Sequence, residues 1–404
     1  MVKEGDVMNF LILMGRGTEG CGQTRTAIEI HNFLESEGHN VTTISNTEKK
    51  WGREKAQENE MLVHNFKSRE YTTDEKFDHI IIASVPAKNY SQEGKENFTK
   101  TLENLDGKIT YVNVDHKIHS LTRNYYAELE YMDRFFKPIS NIVTHDLNND
   151  LCVKFLPKLN EDIKYNLSEM MFISCDFDSL EDYRLPVEEK IDKLNYFIGR
   201  AAFWKGPVVL RDFHYNNLKS EGYTTILEGV ERSIGFVSSL YKQTKPTRVA
   251  RDDVEVMYSE KPEDHLLDKN KSAMFFGPYI RKEALKRLAK AKFGMFFTFI
   301  GENYGGPVEN TLMEIVGVGT VPVIRKELFD TGKFVGARFT DFKPEEIGFI
   351  IYDQENPEEC VTLMNKINGD NKLYEEYREK SLKFLRTYFD RKRVLNVFLD
   401  IIQK

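Results

Sequence analysis

The chain lacks any apolar run long enough to be a membrane helix. Its longest uninterrupted stretches, such as His79 to Val85, have the length of a strand, far short of the roughly 20 residues that cross a bilayer. Cysteine is scarce: Cys21, Cys152, Cys175 and Cys360 stand far apart, and no pair has the spacing of a zinc site or a redox couple. They read as ordinary thiols in a reducing compartment. There is no metal-binding motif, no low-complexity stretch and no short internal repeat. The first residues, Met1-Val2-Lys3-Glu4-Gly5-Asp6, have no charged-then-apolar secretory pattern. A cytoplasmic protein is the expectation. A strong charge excess is also missing. The net charge of −7 argues mildly against non-specific nucleic-acid binding, which depends on neutralising phosphates, but leaves room for a local basic cleft.

What is there fits two folded domains. The 404 residues are 40% hydrophobic and 30% charged, the balance of a water-soluble protein too long for one ordinary core. Apolar stretches alternate with amphipathic ones. Asn9 to Met14 reads as a buried strand and Thr24 to Glu37 as a helix, with Ala27, Ile28, Ile30, His31 and Leu34 near helical spacing. Gly38 ends that helix, and Val41 to Ile44 reads as the next strand. His79 to Ser84 and Lys108 to Val114 are further strands, flanking a polar helix from Gln92 to Leu105. The pattern turns irregular from Val153 to Pro186, and then a second series begins. Its strands are Leu194 to Ile198, Thr224 to Leu227, Ala273 to Phe276, Phe293 to Phe299, Thr320 to Ile324 and Gly348 to Tyr352. Its helices are Val208 to Lys219, Glu231 to Lys242, Tyr279 to Ala291 and Val308 to Val316. The tail from Lys372 to Lys404 is helical and charged, and its end, Val394 to Ile402, is expected to pack back on the first domain. This alternation predicts an α/β protein with two doubly wound parallel sheets. The expected division is 1–185, 186–385 and a returning helix over 386–404. Tandem domains of this kind bind ligands in a cleft at the C-terminal ends of their strands.

Four motifs carry chemistry. Gly15-Arg16-Gly17-Thr18-Glu19-Gly20-Cys21-Gly22 follows the first strand and opens the first helix. Glycines there permit a tight turn and close approach to a ligand, and the helix N-terminus offers free N–H groups. A structural turn is the bland alternative. Ile44-Ser45-Asn46, at the end of the second strand, has no ribose-binding carboxylate, which argues against a nicotinamide enzyme. In the second domain, Gly199-Arg200-Ala201-Ala202-Phe203-Trp204-Lys205-Gly206 sets an Arg and a Lys on one short turn, able to converge on a diphosphate or simply to form a solvated basic loop. Glu309, Asn310, Thr311 and Glu314 surround a helix start after Gly305-Gly306-Pro307-Val308. Pro307 suits a first turn, the free N–H groups near Asn310 and Thr311 can hold a phosphate, and the two carboxylates can accept from ribose and sugar hydroxyls. Complementing the helix dipole is their bland role. Finally, Val112-Asn113-Val114-Asp115-His116 closes a first-domain strand. Asp115 is a candidate base for an incoming hydroxyl and His116 its positioning or proton-sharing partner; the plain alternative is a capping Asp beside a surface His.

Together these motifs resemble the DNA α-glucosyltransferases of T-even bacteriophages, a family with the two-domain GT-B fold. Met14-Gly15-Arg16-Gly17-Thr18-Glu19-Gly20-Cys21-Gly22 is similar to the family's Met-Ala-Arg-Gly-Leu-Glu-Gly-Cys-Gly, and Ser84-Val85-Pro86-Ala87 is shared. Asp115-His116 and Ser120-Leu121-Thr122-Arg123-Asn124 resemble its Asp-His and Ser-Leu-Arg-Arg-Asn. Ile198-Gly199-Arg200, Trp204-Lys205-Gly206, Leu227-Glu228-Gly229-Val230-Glu231-Arg232-Ser233, and the Glu309–Glu314 spacing before Gly319-Thr320-Val321-Pro322-Val323 follow its pattern.

The resemblance implies a UDP-sugar co-substrate, held mainly by the second domain, with no metal requirement and no bound cofactor. Arg200 and Lys205 would contact the diphosphate, Glu314 the ribose and Glu309 the sugar, with Gly17, Gly20, Gly22, Asn310 and Thr311 completing the donor site. The acceptor would be 5-hydroxymethylcytosine in duplex phage DNA, in the host cytoplasm, with anomeric configuration retained by front-face attack or double displacement. Such a base must be flipped out of the stack, and Arg123 and Asn124 would contact the DNA.

One departure bears on the donor. The family has His-Asp-His where this chain has Val114-Asp115-His116. In related transferases a histidine near this point can bond the sugar's C6 hydroxyl, which valine cannot. A buried hydroxyl without a partner costs roughly 1–3 kcal/mol. Glucose and a pentose such as arabinose both stand as donors. A transferase of the same fold acting on a glycan, lipid or small molecule is the alternative, and a non-catalytic nucleotide-binding protein a third, disfavoured by the joint presence of Asp115, Arg200, Lys205, Glu309 and Glu314.

Overall fold

The structure is a computed structural model that describes residues 7–15, 22–46, 60–86, 91–113, 129–145, 147, 149, 151–170, 174–198, 205–228, 254–258, 273–277, 281–298, 309–334 and 337–403. It comprises two compact units, residues 1–174 with 391–404 and residues 175–390.

The first unit is built on strands β1 (Asn9–Met14), β2 (Asn40–Ser45), β3 (Leu62–Val63), β4 (His79–Ser84), β5 (Lys108–Asn113), β6 (Ile139–Thr144) and β7 (Asn166–Glu169). Among the described residues they form one parallel sheet in the order β3-β2-β1-β4-β5-β6-β7. β1 and β4 read as apolar runs because both faces of a parallel sheet are covered; every residue of β4 is buried. Helices α1 (Gly22–Ser36), α2 (Gln92–Asn104) and α3 (Leu129–Phe136) connect the strands. Ser91 caps α2 by accepting from the Gly94 N–H at 3.2 Å, satisfying one of the donors a helix start leaves over. Arg134 of α3 ties the two helices together through Glu96 and Glu103 of α2, each at 3.0 Å.

The second unit holds β8 (Ile191–Ile198), helix α4 (Pro207–Phe213), β9 (Thr224–Glu228), β10 (Val254–Tyr258), β11 (Ala273–Gly277), α5 (Arg281–Lys290), β12 (Ala291–Phe296), α6 (Asn310–Gly317) and β13 (Val321–Arg325). It continues with α7 (Lys326–Thr331), the antiparallel pair β14 (Lys333–Phe334) and β15 (Ala337–Arg338), β16 (Ile350–Tyr352), α8 (Pro357–Gly369) and α9 (Asn371–Phe389). Its parallel sheet runs β10-β11-β9-β8-β12-β13-β16. Strand order therefore reverses between β8 and β12 in this unit and between β1 and β4 in the first. Such switch points are where α/β sheets take ligands. The expected α/β class with two doubly wound parallel sheets is the fold observed.

The charged tail differs from a single helix. It breaks at Asp390, whose backbone is extended, and Phe389 accepts a 2.9 Å bond from the Cys175 N–H. Helix α10 (Arg391–Gln403) then packs on the first unit, as expected. It buries Val394, Leu395, Phe398 and Ile402 and pairs Arg391 with Glu29 and Lys392 with Glu37 of α1. The helix expected over Glu231 to Lys242 lies outside the described residues.

Lys190, just before β8, is nearly fully buried. Its ammonium donates to the carbonyls of Ala289 at 2.6 Å and Ala291 at 3.3 Å. Burial, reinforced by the Arg378 charge, pushes it down to about 7, against roughly 10.4 in an unfolded chain. Between those values the unfolded chain binds more protons, so stability from this group rises with pH from about 7 upward and is flat below. Urea midpoints at pH 7 and pH 9 should show the wild type gaining about 1–2 kcal/mol on Lys190→Met over that interval. A constant difference would contradict the assignment.

Candidate donor site at the strand ends of the second sheet

The site grows from the C-terminal ends of β8 and β12. Beyond β8 the chain must turn sharply into α4, and Gly206 makes that turn with φ of 74°. A Cβ there would sit 2.4 Å from the Phe297 carbonyl oxygen just past β12. Pro207 follows at the first helical position, where its missing N–H costs nothing. This close approach carries Lys205 to the start of α6, where its ammonium pairs with Glu309. Both side chains are mostly shielded, at 17% and 22% exposure.

Glu309 is the N-cap of α6 by backbone geometry, but its side chain makes no capping bond. Its carboxylate is committed instead to Lys205. Asn310 and Thr311 open the helix, four and three residues before Glu314 and so on the same face. Glu314 is 5% exposed, within a helix that otherwise buries apolar side chains. Arg281, at the start of α5, donates from Nε to its Oε1 at 2.8 Å. Lys205, Glu309, Asn310, Thr311 and Glu314 are thus brought together at one edge of one sheet.

A second buried charge cluster lies beside this edge. Glu228 ends β9 and is fully buried. Arg287 of α5 grips it two-pronged, Nη2 to Oε1 at 2.5 Å and Nε to Oε2 at 2.9 Å, and the Tyr196 hydroxyl donates to the same carboxylate. Burial and the Glu228 charge hold the Tyr196 phenol well above its ordinary range. A buried carboxylate needs such pairing, since an uncompensated charge there is strongly destabilising. The sequence pattern around Glu228 assigns it no role and gives no sign of Tyr196, Arg281 or Arg287. Nothing in the sequence links positions 33 or 59 apart; only the fold does.

In the first unit, the Gly15 N–H donates to the Ser84 carbonyl at 2.8 Å, across the β1–β4 reversal. A Cβ at Gly15 would lie 2.5 Å from Pro86. Asn46 donates its side-chain amide to the Gly15 carbonyl at 3.1 Å, at the position where a nicotinamide enzyme would present a carboxylate. Gly22 is the first residue of α1. Gly17, Gly20, Val114, Asp115, His116, Arg123, Asn124 and Arg200 lie outside the described residues. Among the described residues no group of three or more His, Cys, Asp or Glu is placed to hold a metal ion, and no helix is long and apolar enough to cross a membrane. A cavity of about 610 Å³ bordered by Arg184, Pro186, Lys372 and Arg378 flanks the N-terminal end of β8, the opposite edge of the sheet from Lys205. Its arginines are bound to backbone, Arg184 to Gly317 O at 2.8 Å and Arg378 to Leu185 O at 3.2 Å.

A sequence model described as DNA alpha-glucosyltransferase matches residues 21–372. The chain belongs to the DNA alpha-glucosyltransferase family. It is 29% identical to the DNA alpha-glucosyltransferase of Enterobacteria phage T4 over 98% of this chain and all of that protein. Among solved structures it is similar to an alpha-glucosyltransferase in complex with UDP and a 13-mer DNA containing a HMU base, with a TM-score of 0.85 and 26% identity over 99% of this chain and all of the other. An alpha-glucosyltransferase in complex with UDP-glucose and DNA containing an abasic site aligns with a TM-score of 0.84 and 25% identity, again over 99% of this chain and all of the other. A glycosyltransferase from Rickettsia africae shares the fold alone, with a TM-score of 0.63 at 13% identity over 99% of this chain and 98% of the other.

The Gly206 turn is the local feature on which the Lys205–Glu309 juxtaposition depends. Gly206→Ala adds a left-handed strain of about 1–2 kcal/mol to the clash with Phe297. Urea unfolding should show a loss of about 2 kcal/mol or more; an unchanged midpoint would contradict this reading of the turn.

Proposed function

We propose that the chain transfers a sugar, with retention, from a UDP-sugar to the hydroxymethyl group of 5-hydroxymethylcytosine in double-stranded DNA. The observation that carries this reading is the convergence of Lys205, Glu309, Asn310, Thr311 and Glu314 at the β8–β12 switch point, in a chain whose relatives are described with UDP, UDP-glucose and DNA. The second unit takes the donor and the first unit, with its returning helix, the acceptor.

The roles follow from the chemistry of each group. Lys205, with Arg200, meets the diphosphate as a compact charge beside a planar fork of donors. The first turn of α6, at Asn310 and Thr311, adds N–H groups and the positive end of the helix dipole. Together they stabilise the charge that builds on UDP as the glycosidic bond breaks. Glu314 accepts from the ribose hydroxyls. Glu309 holds sugar hydroxyls once the entering diphosphate competes for Lys205. Gly17 and Gly20, ahead of α1, and Gly22, its first residue, carry no side chain and so let the backbone approach the donor closely. Asp115 takes the proton of the incoming hydroxyl and His116 orients or shares it. Arg123 and Asn124 contact the DNA, whose target base is read outside the stack.

UDP release from UDP-sugars should rise strongly when hydroxymethylated duplex DNA is added and stay at background with unmodified DNA. Equal release with both would move the acceptor to a glycan, lipid or small molecule. Val114 sets the donor test. A preference for UDP-arabinose over UDP-glucose of about tenfold or more would support Val114 as the selecting residue; a glucose preference would assign the C6 hydroxyl to another side chain. Asp115→Asn should lower turnover by about 100-fold or more while UDP affinity changes little. Parallel losses in both would contradict an acceptor-side role.

A further inference from the structure

We propose that Glu309 drives UDP off the enzyme after transfer, because its carboxylate stands beside the ammonium that holds the diphosphate. The inference rests on the reading above that Lys205 meets that diphosphate. Lys205 and Glu309 are in direct contact, and both side chains are largely shielded from water. The fold keeps them there. Glu309 is the extended N-cap of α6, and its side chain makes no bond to the N–H groups of that helix, so its carboxylate is not spent on the cap. Gly206, left-handed and pressed against Phe297, holds the neighbouring Lys205 at the same edge. A phosphate oxygen that accepts from the Lys205 ammonium therefore comes within about 4–6 Å of the Glu309 carboxylate, since two charge-assisted contacts then meet on one nitrogen. At that separation, with water partly excluded, like charges repel appreciably. Lys205 has a further contact besides Glu309; the repulsion depends on how near Glu309 lies, not on how many partners Lys205 has. Its strength changes during the reaction. Transfer breaks the bond between the anomeric carbon and the β-phosphate oxygen. The electron pair stays on that oxygen, the anomeric carbon bonds the acceptor's hydroxyl oxygen, and the hydroxyl proton passes to the base. UDP now carries one more negative charge than it did as part of the UDP-sugar, and Glu309 has lost the sugar hydroxyls that donated to it. The carboxylate thus favours UDP-sugar over UDP in one pocket, and pairs again with Lys205 as UDP departs. Product release limits turnover in many enzymes, and here a donor-holding residue speeds it.

The two ligands are expected to respond in opposite directions when the charge is removed. The experiment is calorimetric binding of UDP, UDP-glucose and UDP-arabinose to the full chain without DNA, for wild type, Glu309→Gln, Glu309→Asp and Lys205→Met. Glu309→Gln should bind UDP about threefold or more tighter than the wild type, while neither UDP-sugar gains affinity. Glu309→Asp keeps the charge and should keep the wild-type affinity for UDP. The gap between wild type and Glu309→Gln should shrink as salt is raised, since the pair is only partly shielded. An unchanged or weakened affinity of Glu309→Gln for UDP would overturn the proposal and leave Glu309 as a sugar-holding residue alone. Equal losses for UDP and both UDP-sugars would reduce it to a structural role, and a Glu309→Asp variant that tightens on UDP as Glu309→Gln does would show that charge is not the cause. If Lys205→Met binds UDP as well as the wild type, the assignment of Lys205 to the diphosphate fails instead, and the proposal with it. Should Glu309→Gln unfold, Glu309→Ser carries the same test, because serine is favoured at a helix N-cap and is likewise uncharged.

Discussion

Parallel pairing between β8 and β12 is the constraint from which the proposed donor site follows. Parallel strands deliver all their C-terminal ends to one edge of a sheet, and a reversal of strand order leaves a crevice at that edge. The chain that leaves β8 and the chain that leaves β12 must both begin there. Lys205 comes seven positions after the first of these strands and Glu309 thirteen positions after the second, and their side chains pair at this edge. Gly206, lying against Phe297, closes the remaining distance. The ion pair, the α6 N-terminus and Glu314 are consequences of that topology.

Charge is handled differently at neighbouring points of this edge. Glu228 is fully buried and answered by the two-pronged Arg287 and by Tyr196, an arrangement suited to fixing the end of β9 in one place. Lys205 and Glu309 retain partial exposure, so their pairing is less costly to open and can yield to an entering anion. Shielded but accessible pairs of this kind are what a binding site needs, because a fully buried pair would impose its whole desolvation cost on every binding event.

Strand and helix positions were legible where apolar periodicity was uninterrupted. β4 coincides with the expected run because all six of its residues are buried. β6 was missed because Asn141, buried and donating to Thr110 and to the Ile402 carbonyl, breaks the apolar pattern of a central strand. α8 was missed although Pro357 at its first turn, Glu358, Glu359 and Gly369 at its end form a readable start and stop signature. The long tail read as one helix because local composition carries no sign of the extended backbone at Asp390, which the tertiary pairing with Cys175 imposes. Lys205, Glu309 and Glu314, the residues proposed to hold the donor, were legible as residue types beside glycines and a helix start. Arg281 was not, since its bond to Glu314 depends on which helix packs beside α6, a property of sheet order and not of local sequence.

The central claim is a sugar transferred to DNA, and mass spectrometry of nucleosides tests it most directly. DNA containing 5-hydroxymethylcytosine is incubated with the protein and a panel of UDP-sugars, then digested. A mass gain of one hexose or one pentose on the modified cytosine is the predicted result, and it identifies donor and acceptor together. No gain with any sugar, in a protein that binds UDP, would contradict the account.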